Sequence, residues 1–122
     1  MAGTGKLCVS LSFSSNDTDK ATVAFVIANA AVASSQDTLV FLSIEGVRLS
    51  QKGFADTIHE EGFAPLAELM HNFVLAGGRI WVCSPCMKKR GLDENNLVEG
   101  ATIVGGAKLV EFLSDGTPCI SY

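Results

Sequence analysis

Residues 38–44 form a nearly continuous apolar run, and this run constrains the fold more than any other feature of the sequence. A strand with one face in solvent alternates apolar and polar residues, whereas a parallel strand that helices cover on both faces is apolar nearly throughout. The sequence therefore predicts a buried parallel strand here, covered on both faces.

Strand-like and helix-like segments alternate along the rest of the chain. Further strands are predicted at residues 7–11, 79–83, 101–104 and 119–122, and helices at 20–33, 65–76, 84–90 and 107–113. In the first helix, Val23, Val26, Ile27 and Ala30 recur at helical spacing. Residues 48–64 are predicted to be a mobile connection with a helical turn near 56–60. Because the alternation implies right-handed crossovers, we predict an α/β fold, with one domain over residues 1–122. Its mainly parallel five-stranded sheet should carry helices on both faces, and the strand order should reverse near the first strand.

The motif Cys83-Ser84-Pro85-Cys86 is the best candidate for chemistry. Cys83 ends a predicted strand, and Pro85 is suited to start the next helix. Ligands and chemistry gather at the carboxyl ends of parallel strands. The loops at residues 12–16, 45–47, 83–86 and 105–106 should therefore share one edge. A helix N-terminus favours a thiolate, and Lys88, Lys89 and Arg90 add positive charge within about two helical turns. We therefore predict a reactive Cys83, with a pair of buried, inert cysteines as the alternative.

The Cys-x-x-Cys spacing alone leaves three chemical roles open. It suits a dithiol redox pair, half of a zinc site, or a nucleophile with a spare thiol. A structural zinc needs four ligands, usually as two close pairs, but Cys8, Cys119, His59 and His71 are isolated in the sequence. We therefore predict no metal, and we interpret Cys8 and Cys119 as core strand residues. Residues 3–6 mimic the end of a phosphate loop but precede their strand instead of following it, so no cofactor is predicted.

The charge and composition of the chain limit the classes of partner and the location that the sequence predicts. The net charge of −4 argues against nucleic acid, which requires a basic surface. No apolar run reaches the roughly 20 residues that span a bilayer. Sparse cysteines and the absence of an apolar signal core predict a cytoplasmic protein. Apolar residues make up 48% of the chain and charged residues only 18%, which indicates a doubly covered sheet, an oligomer interface, or both.

Three segments carry a resemblance to a known family. They are Phe41-Leu42-Ser43-Ile44-Glu45-Gly46-Val47, then Val82-Cys83 followed by a short helix and Arg90-Gly91, and finally Ala101-Thr102-Ile103-Val104-Gly105-Gly106-Ala107. In their order and spacing they resemble the DsrE/DsrF-like family of small sulfur-relay proteins, over almost the whole chain. The resemblance implies that Cys83 carries sulfur as a persulfide and that the chain assembles as a homotrimer or homohexamer. Cys86 is an addition relative to the family's single-cysteine carriers.

Three functions therefore stay open. The leading hypothesis is a sulfur carrier or sulfurtransferase-like protein that exchanges sulfur with donor and acceptor proteins, with Cys83 and Cys86 as catalytic residues. Lys88, Lys89, Arg90 and Glu45 would support them. The alternatives are a thiol–disulfide redox protein that uses the same two thiols, and a non-catalytic interaction subunit in which the cysteines are structural.

Overall fold

A five-stranded parallel sheet forms the centre of the protein in the computed structural model, which describes residues 4–122. The strands are β1 (Lys6–Leu11), β2 (Asp37–Leu42), β3 (Arg79–Cys83), β4 (Ala101–Val104) and β5 (Cys119–Ser121). Their order is β4-β3-β2-β1-β5, and every neighbouring pair is parallel. The order reverses at β1, because β2 to β4 extend to one side of it and β5 lies on the other. Both the parallel sheet and the position of the reversal are as predicted.

Helices cover both faces of the sheet. The α-helices are α1 (Thr18–Ala33), α2 (Leu66–Leu75), α3 (Ser84–Lys89) and α4 (Gly106–Leu113), and two 3-10 helices span Ile44–Ser50 and Phe54–Thr57. On one face, the first core cluster includes Val9, Val40 and Ile80 of the sheet, with Phe25 of α1 and Phe73 of α2. The rings of Phe25 and Phe73 pack edge to face, with their centroids 5.9 Å apart. Each such fully buried side chain stabilises the fold by roughly 1.5–3 kcal/mol.

The second core cluster lies on the opposite face, under α4. It consists of Cys8, Leu39, Phe41, Trp81, Val104 and Phe112. Phe112 of α4 meets Trp81 of β3 edge to face, with ring centroids 5.6 Å apart. The helix begins at Gly106, with Gly105 in extended conformation as its N-cap. The predicted start at residue 107 was therefore one residue late.

The buried stripe of α1 differs from the predicted one. Val23, Val26 and Ile27 are only half-buried, and Ala30 is exposed. The buried side chains are Ala21, Thr22, Ala24, Phe25, Ala28 and Ala31. The sequence is apolar nearly all around this helix, so periodicity alone did not select a face. The small alanines face the sheet because they let the helix backbone approach it closely.

Residues 43–64 also depart from the prediction. β2 ends at Leu42, and Ile44 already begins a 3-10 helix. The segment predicted as a mobile connection is packed, since Leu49, Ala55 and Ile58 are buried. It is also tied by hydrogen bonds, such as that from the Leu66 amide to the Ile58 carbonyl at 2.9 Å. The predicted helical turn at 56–60 occurs slightly earlier, as the 3-10 helix Phe54–Thr57.

Candidate functional site

The loops that follow β1, β2 and β3 meet at the carboxyl edge of the sheet. The Ser43 amide after β2 donates to the Leu11 carbonyl at the end of β1, at 3.0 Å. Cys83, the last residue of β3, is in register with Val104, the last residue of β4. The Ser12 amide donates to the Tyr122 carbonyl at 3.1 Å, which brings the end of the chain to the same edge.

The structure brings Cys83 and Cys86 together at this edge. Cys83 ends β3 and is the N-cap of α3, and Cys86 lies in the first turn of that helix. Both are half-buried, and Cys86 lies close enough to Cys83 to raise the pKa of its thiol. Met87, which is fully buried, anchors α3 in the first core cluster. Cys83 packs against both core clusters. It therefore lies at the carboxyl edge of the sheet, between the clusters on its two faces.

The environment of Cys83 raises the pKa of its thiol above the ordinary value. Burial is the largest cause, followed by the side-chain contact with Cys86. The backbone N–H of Cys86 lowers the pKa of Cys83, as does the charge of Arg90, although the Cys83 side chain makes no capping hydrogen bond to α3. The predicted preference for the thiolate is therefore wrong. Burial between two apolar clusters outweighs the end of a six-residue helix and a single cation.

Glu45 holds the carboxyl edge together through two arginines. Its Oε2 accepts from Arg90 Nε at 2.6 Å, and its Oε1 accepts from Arg48 Nε at 2.8 Å. Arg90 also donates from Nη1 to the Cys86 carbonyl at 3.2 Å, so the pair joins the 3-10 helix after β2 to α3. The hydrogen bond from Arg90 is the largest cause of a lowered pKa at Glu45, and that from Arg48 is the next. Because Glu45 neutralises much of the Arg90 charge, only part of that charge acts on Cys83.

Lys88 and Lys89 are not brought to Cys83. Both lie in the last turn of α3, and both are exposed. Positive charge in the last turn stabilises a helix, because it interacts with the negative end of the helix dipole. Of the three basic residues singled out in the sequence, only Arg90 lowers the pKa of Cys83.

The sequence did not predict the structural roles of two residues beside the site, Ile44 and Gly46. Ile44 has φ +55 and is 53% exposed, although a β-branched side chain strongly disfavours that conformation. It looked like the end of a buried strand because it closes an apolar run. At Gly46, a Cβ would lie 2.3 Å from the carbonyl oxygen of Leu11, so only glycine lets the 3-10 helix pass so close to β1. This close passage carries Glu45 toward Arg90.

The remaining candidate residues lie elsewhere. His59 is exposed and contacts the Phe63 carbonyl, and His71 lies on α2 beside a cavity of about 180 Å³ whose lining includes neither Cys83 nor Cys86. Within residues 4–122, no three or more His, Cys, Asp or Glu residues are grouped to hold a metal ion. None of the helices described there has the length and apolarity to cross a bilayer.

Cys8 and Cys119 are not the isolated residues that their spacing indicated. They are register partners on β1 and β5. Cys8 is fully buried in the second core cluster, as predicted, but Cys119 is exposed and does not belong to the core. The pairing joins strands from opposite ends of the chain, so the local sequence contained no signal for it.

Known proteins are similar to this chain in sequence or in fold. A family model described as the DsrE/DsrF-like family matches residues 6–122. The uncharacterized protein MJ0760 of Methanocaldococcus jannaschii is 31% identical over 96 residues, which cover 79% of this chain but only 35% of that protein. The uncharacterized protein MK0008 of Methanopyrus kandleri is 26% identical over 104 residues, covering 85% of this chain and 83% of that protein. The structure of the ychN protein from E. coli superposes with a TM-score of 0.81 at 16% identity and covers 96% of this chain and 98% of its own.

Proposed function

The chain belongs to the DsrE/DsrF-like family, and from that membership we propose that it is a sulfur carrier, or sulfurtransferase-like protein, of an intracellular sulfur relay. Cys83 holds the transferred sulfur as a persulfide in this proposal. The observation that carries it is the position of Cys83: a half-buried thiol at the carboxyl edge of the sheet, beside a second thiol and the half-buried Arg90.

The proposed transfer consists of two displacements at sulfur. Cys83 loses its proton, and its thiolate attacks the outer sulfur of a donor persulfide. The donor's S–S bond breaks, the donor leaves as a thiolate, and Cys83 becomes the persulfide. An acceptor thiolate then attacks the outer sulfur, and Cys83 leaves as its thiolate. No net oxidation occurs, so neither a redox cofactor nor a metal is needed.

The raised pKa of Cys83 suits holding sulfur rather than releasing it quickly. A thiolate of higher pKa is the stronger nucleophile once formed, and it is the slower leaving group. The Cys86 N–H and the Arg90 guanidinium, which both lower the pKa of Cys83, favour negative charge at this position. They would also stabilise the charge of a bound persulfide.

The contact between the two thiols favours a second candidate function, thiol–disulfide exchange. Cys86 would act as the resolving thiol, because one helical turn separates it from Cys83. In the relay, Cys86 attack on the inner sulfur of a Cys83 persulfide would expel hydrosulfide and leave a disulfide. In a redox protein, the same disulfide would form by exchange with a partner's disulfide.

Partner docking beside the site is supported by Ile44, which is exposed and strained at the same edge. Leu75 and Val110 are also exposed, each at 68%, on two other helices. We propose that such apolar surfaces are covered in a homotrimer or homohexamer, in the cytoplasm, and that donor and acceptor proteins approach at the Cys83 edge.

The test compares three single variants after exposure to a small persulfide donor. Intact and peptide masses should show one added sulfur on Cys83 of the native chain. Cys83→Ser should load none, and Cys86→Ser should load Cys83 but retain its sulfur longer. Cys119→Ser is the matched control, because it removes an exposed thiol and should leave loading of Cys83 unchanged. Normal loading of Cys83→Ser would contradict the proposal. If Cys83→Ser loads normally and Cys86→Ser does not, the roles of the two thiols are reversed.

A further inference from the structure

A second pair of thiols lies on β1 and β5, away from the carboxyl edge. Cys8 and Cys119 are register partners in this parallel pair, so their side chains lie on the same face of the sheet. Neighbouring strands lie about 4.8 Å apart. A disulfide spans Cα separations of about 4.4–6.8 Å. The two side chains are close enough that Cys119 raises the pKa of Cys8. The register and the backbone spacing therefore permit a bond between the two sulfurs.

The two thiols differ in access to solvent. Cys8 has no exposed surface, whereas Cys119 is exposed on the edge strand. Burial, and secondarily Cys119, raise the pKa of Cys8, so Cys8 stays protonated while Cys119 meets solvent reagents. An oxidant therefore reaches Cys119 first, and Cys8 is placed to respond second.

This pair is separate from the Cys83 site. Cys8 is the register partner of Leu39 on β2, and Leu39 is the register partner of Arg79 on β3. Cys83 lies four residues after Arg79 on β3. Cys83 is therefore displaced from Cys8 by two strand spacings across the sheet, roughly 10 Å, and by four residues along the strands, roughly 13 Å. Sulfur therefore cannot pass directly between the two pairs, and the chemistry of Cys8 and Cys119 does not depend on the proposed relay.

The strand that carries Cys119 is a short edge strand that pairs with β1 alone. β5 is three residues long, and all three residues are exposed. Backbone bonds hold it at its ends, from the Cys8 amide to the Pro118 carbonyl at 3.0 Å and from the Tyr122 amide to the Ser10 carbonyl at 2.8 Å. Short, exposed edge strands open at low free energy. A covalent bond to β1 would hold this strand closed.

We propose that Cys8 and Cys119 form a second dithiol site, in which a low-molecular-weight disulfide such as oxidised glutathione generates a cross-strand disulfide that locks β5 onto β1. The Cys119 thiolate attacks one sulfur of the small disulfide and expels one thiolate, which gives a mixed disulfide. Cys8 then gives up its proton, attacks the Cys119 sulfur and expels the second thiolate. Two protein thiols are oxidised to one disulfide, and one small disulfide is reduced to two thiols.

The test treats a Cys83→Ser/Cys86→Ser variant with oxidised glutathione, so that only the second pair can react. Intact mass should fall by two hydrogens with no glutathione attached, and peptide mapping should link the segments that contain Cys8 and Cys119. The unfolding temperature should rise by about 5 °C or more, because the new bond closes a loop of nearly the whole chain. Exchange of the Tyr122 amide hydrogen should slow at the same time.

Two further substitutions in the same background serve as controls. Cys8→Ala should trap a stable glutathione adduct on Cys119, and Cys119→Ser, a surface change, should leave Cys8 unmodified. Three outcomes would overturn the proposal: a lasting glutathione adduct while Cys8 is present, a Cys119–Cys119 bond between two chains, or no reaction at Cys119.

Discussion

Replacing Gly46 by alanine tests the backbone contact that brings Glu45 to Arg90. The added Cβ would lie 2.3 Å from the carbonyl oxygen of Leu11 and 3.1 Å from its carbonyl carbon. Both atoms belong to the backbone of a buried strand, so no flexible side chain can move aside. Relief of the contact requires the 3-10 helix after β2 to shift by about 1 Å.

The cost of Gly46→Ala follows from that geometry. Overpacking of a well-packed region typically costs 1–3 kcal/mol, and we expect about that loss in the free energy of unfolding. Alanine also restricts the unfolded chain, which offsets roughly 0.4–1 kcal/mol. The net loss is therefore up to about 2.6 kcal/mol. For a chain of this length each kcal/mol corresponds to about 4 °C, so the unfolding temperature should fall by up to about 10 °C.

Gly106→Ala is the matched control for this prediction. Gly106 begins α4 without a positive φ, and a Cβ there meets no atom within 4 Å. Alanine in a helix is favoured over glycine by up to about 1 kcal/mol, so this variant should be as stable as the native chain or slightly more stable. Urea unfolding of both variants at equal protein concentration is the assay. If Gly46→Ala loses no more stability than Gly106→Ala, the close contact with β1 does not exist.

Three further predictions concern charge and assembly. Arg90→Gln should raise the pH at which Cys83 is alkylated, because the Arg90 guanidinium lowers the pKa of Cys83, and Lys88→Gln should leave that pH unchanged. The measurement is alkylation of the Cys83 peptide across pH. Equal effects of the two substitutions would refute the role given to Arg90. The pKa of Glu45 is lowered in the fold, so its contribution to stability is present above its ordinary pKa of 4.5 and is lost as pH falls through the folded value. Glu45→Gln should therefore flatten the acid limb of the stability–pH curve measured by urea unfolding, and an unchanged limb would contradict this. Sedimentation at micromolar concentration should give a trimer or hexamer mass, and a monomer mass alone would exclude the proposed assembly.

The sheet was predictable because its signal is local. The apolar run at residues 38–44 reflects burial on both faces of β2, and each predicted strand was recovered within two residues. The position of Cys83 followed in the same way, because a cysteine at the end of one parallel strand must lie near the loops after its neighbours. These inferences needed only the period of the side chains and the geometry of parallel sheets.

Long-range contacts were not predictable. The role of Gly46 depends on the Leu11 carbonyl, and no sequence pattern around Gly46 indicates that contact. The sequences around Cys8 and Cys119 likewise do not indicate that the two residues pair across β1 and β5. The pKa of Cys83 was predicted in the wrong direction, because the helix terminus and the basic residues are visible in the sequence and the burial between two core clusters is not.

The most direct test of the central claim is the mass of the peptide that contains Cys83 and Cys86, measured in the native chain after it meets a persulfide donor. The proposed sulfur carrier predicts one added sulfur atom on Cys83, lost again when an acceptor thiol is supplied. Loss of two hydrogens without any sulfur-bearing species, at every time after mixing, would contradict the sulfur carrier and leave thiol–disulfide exchange as the chemistry of this site.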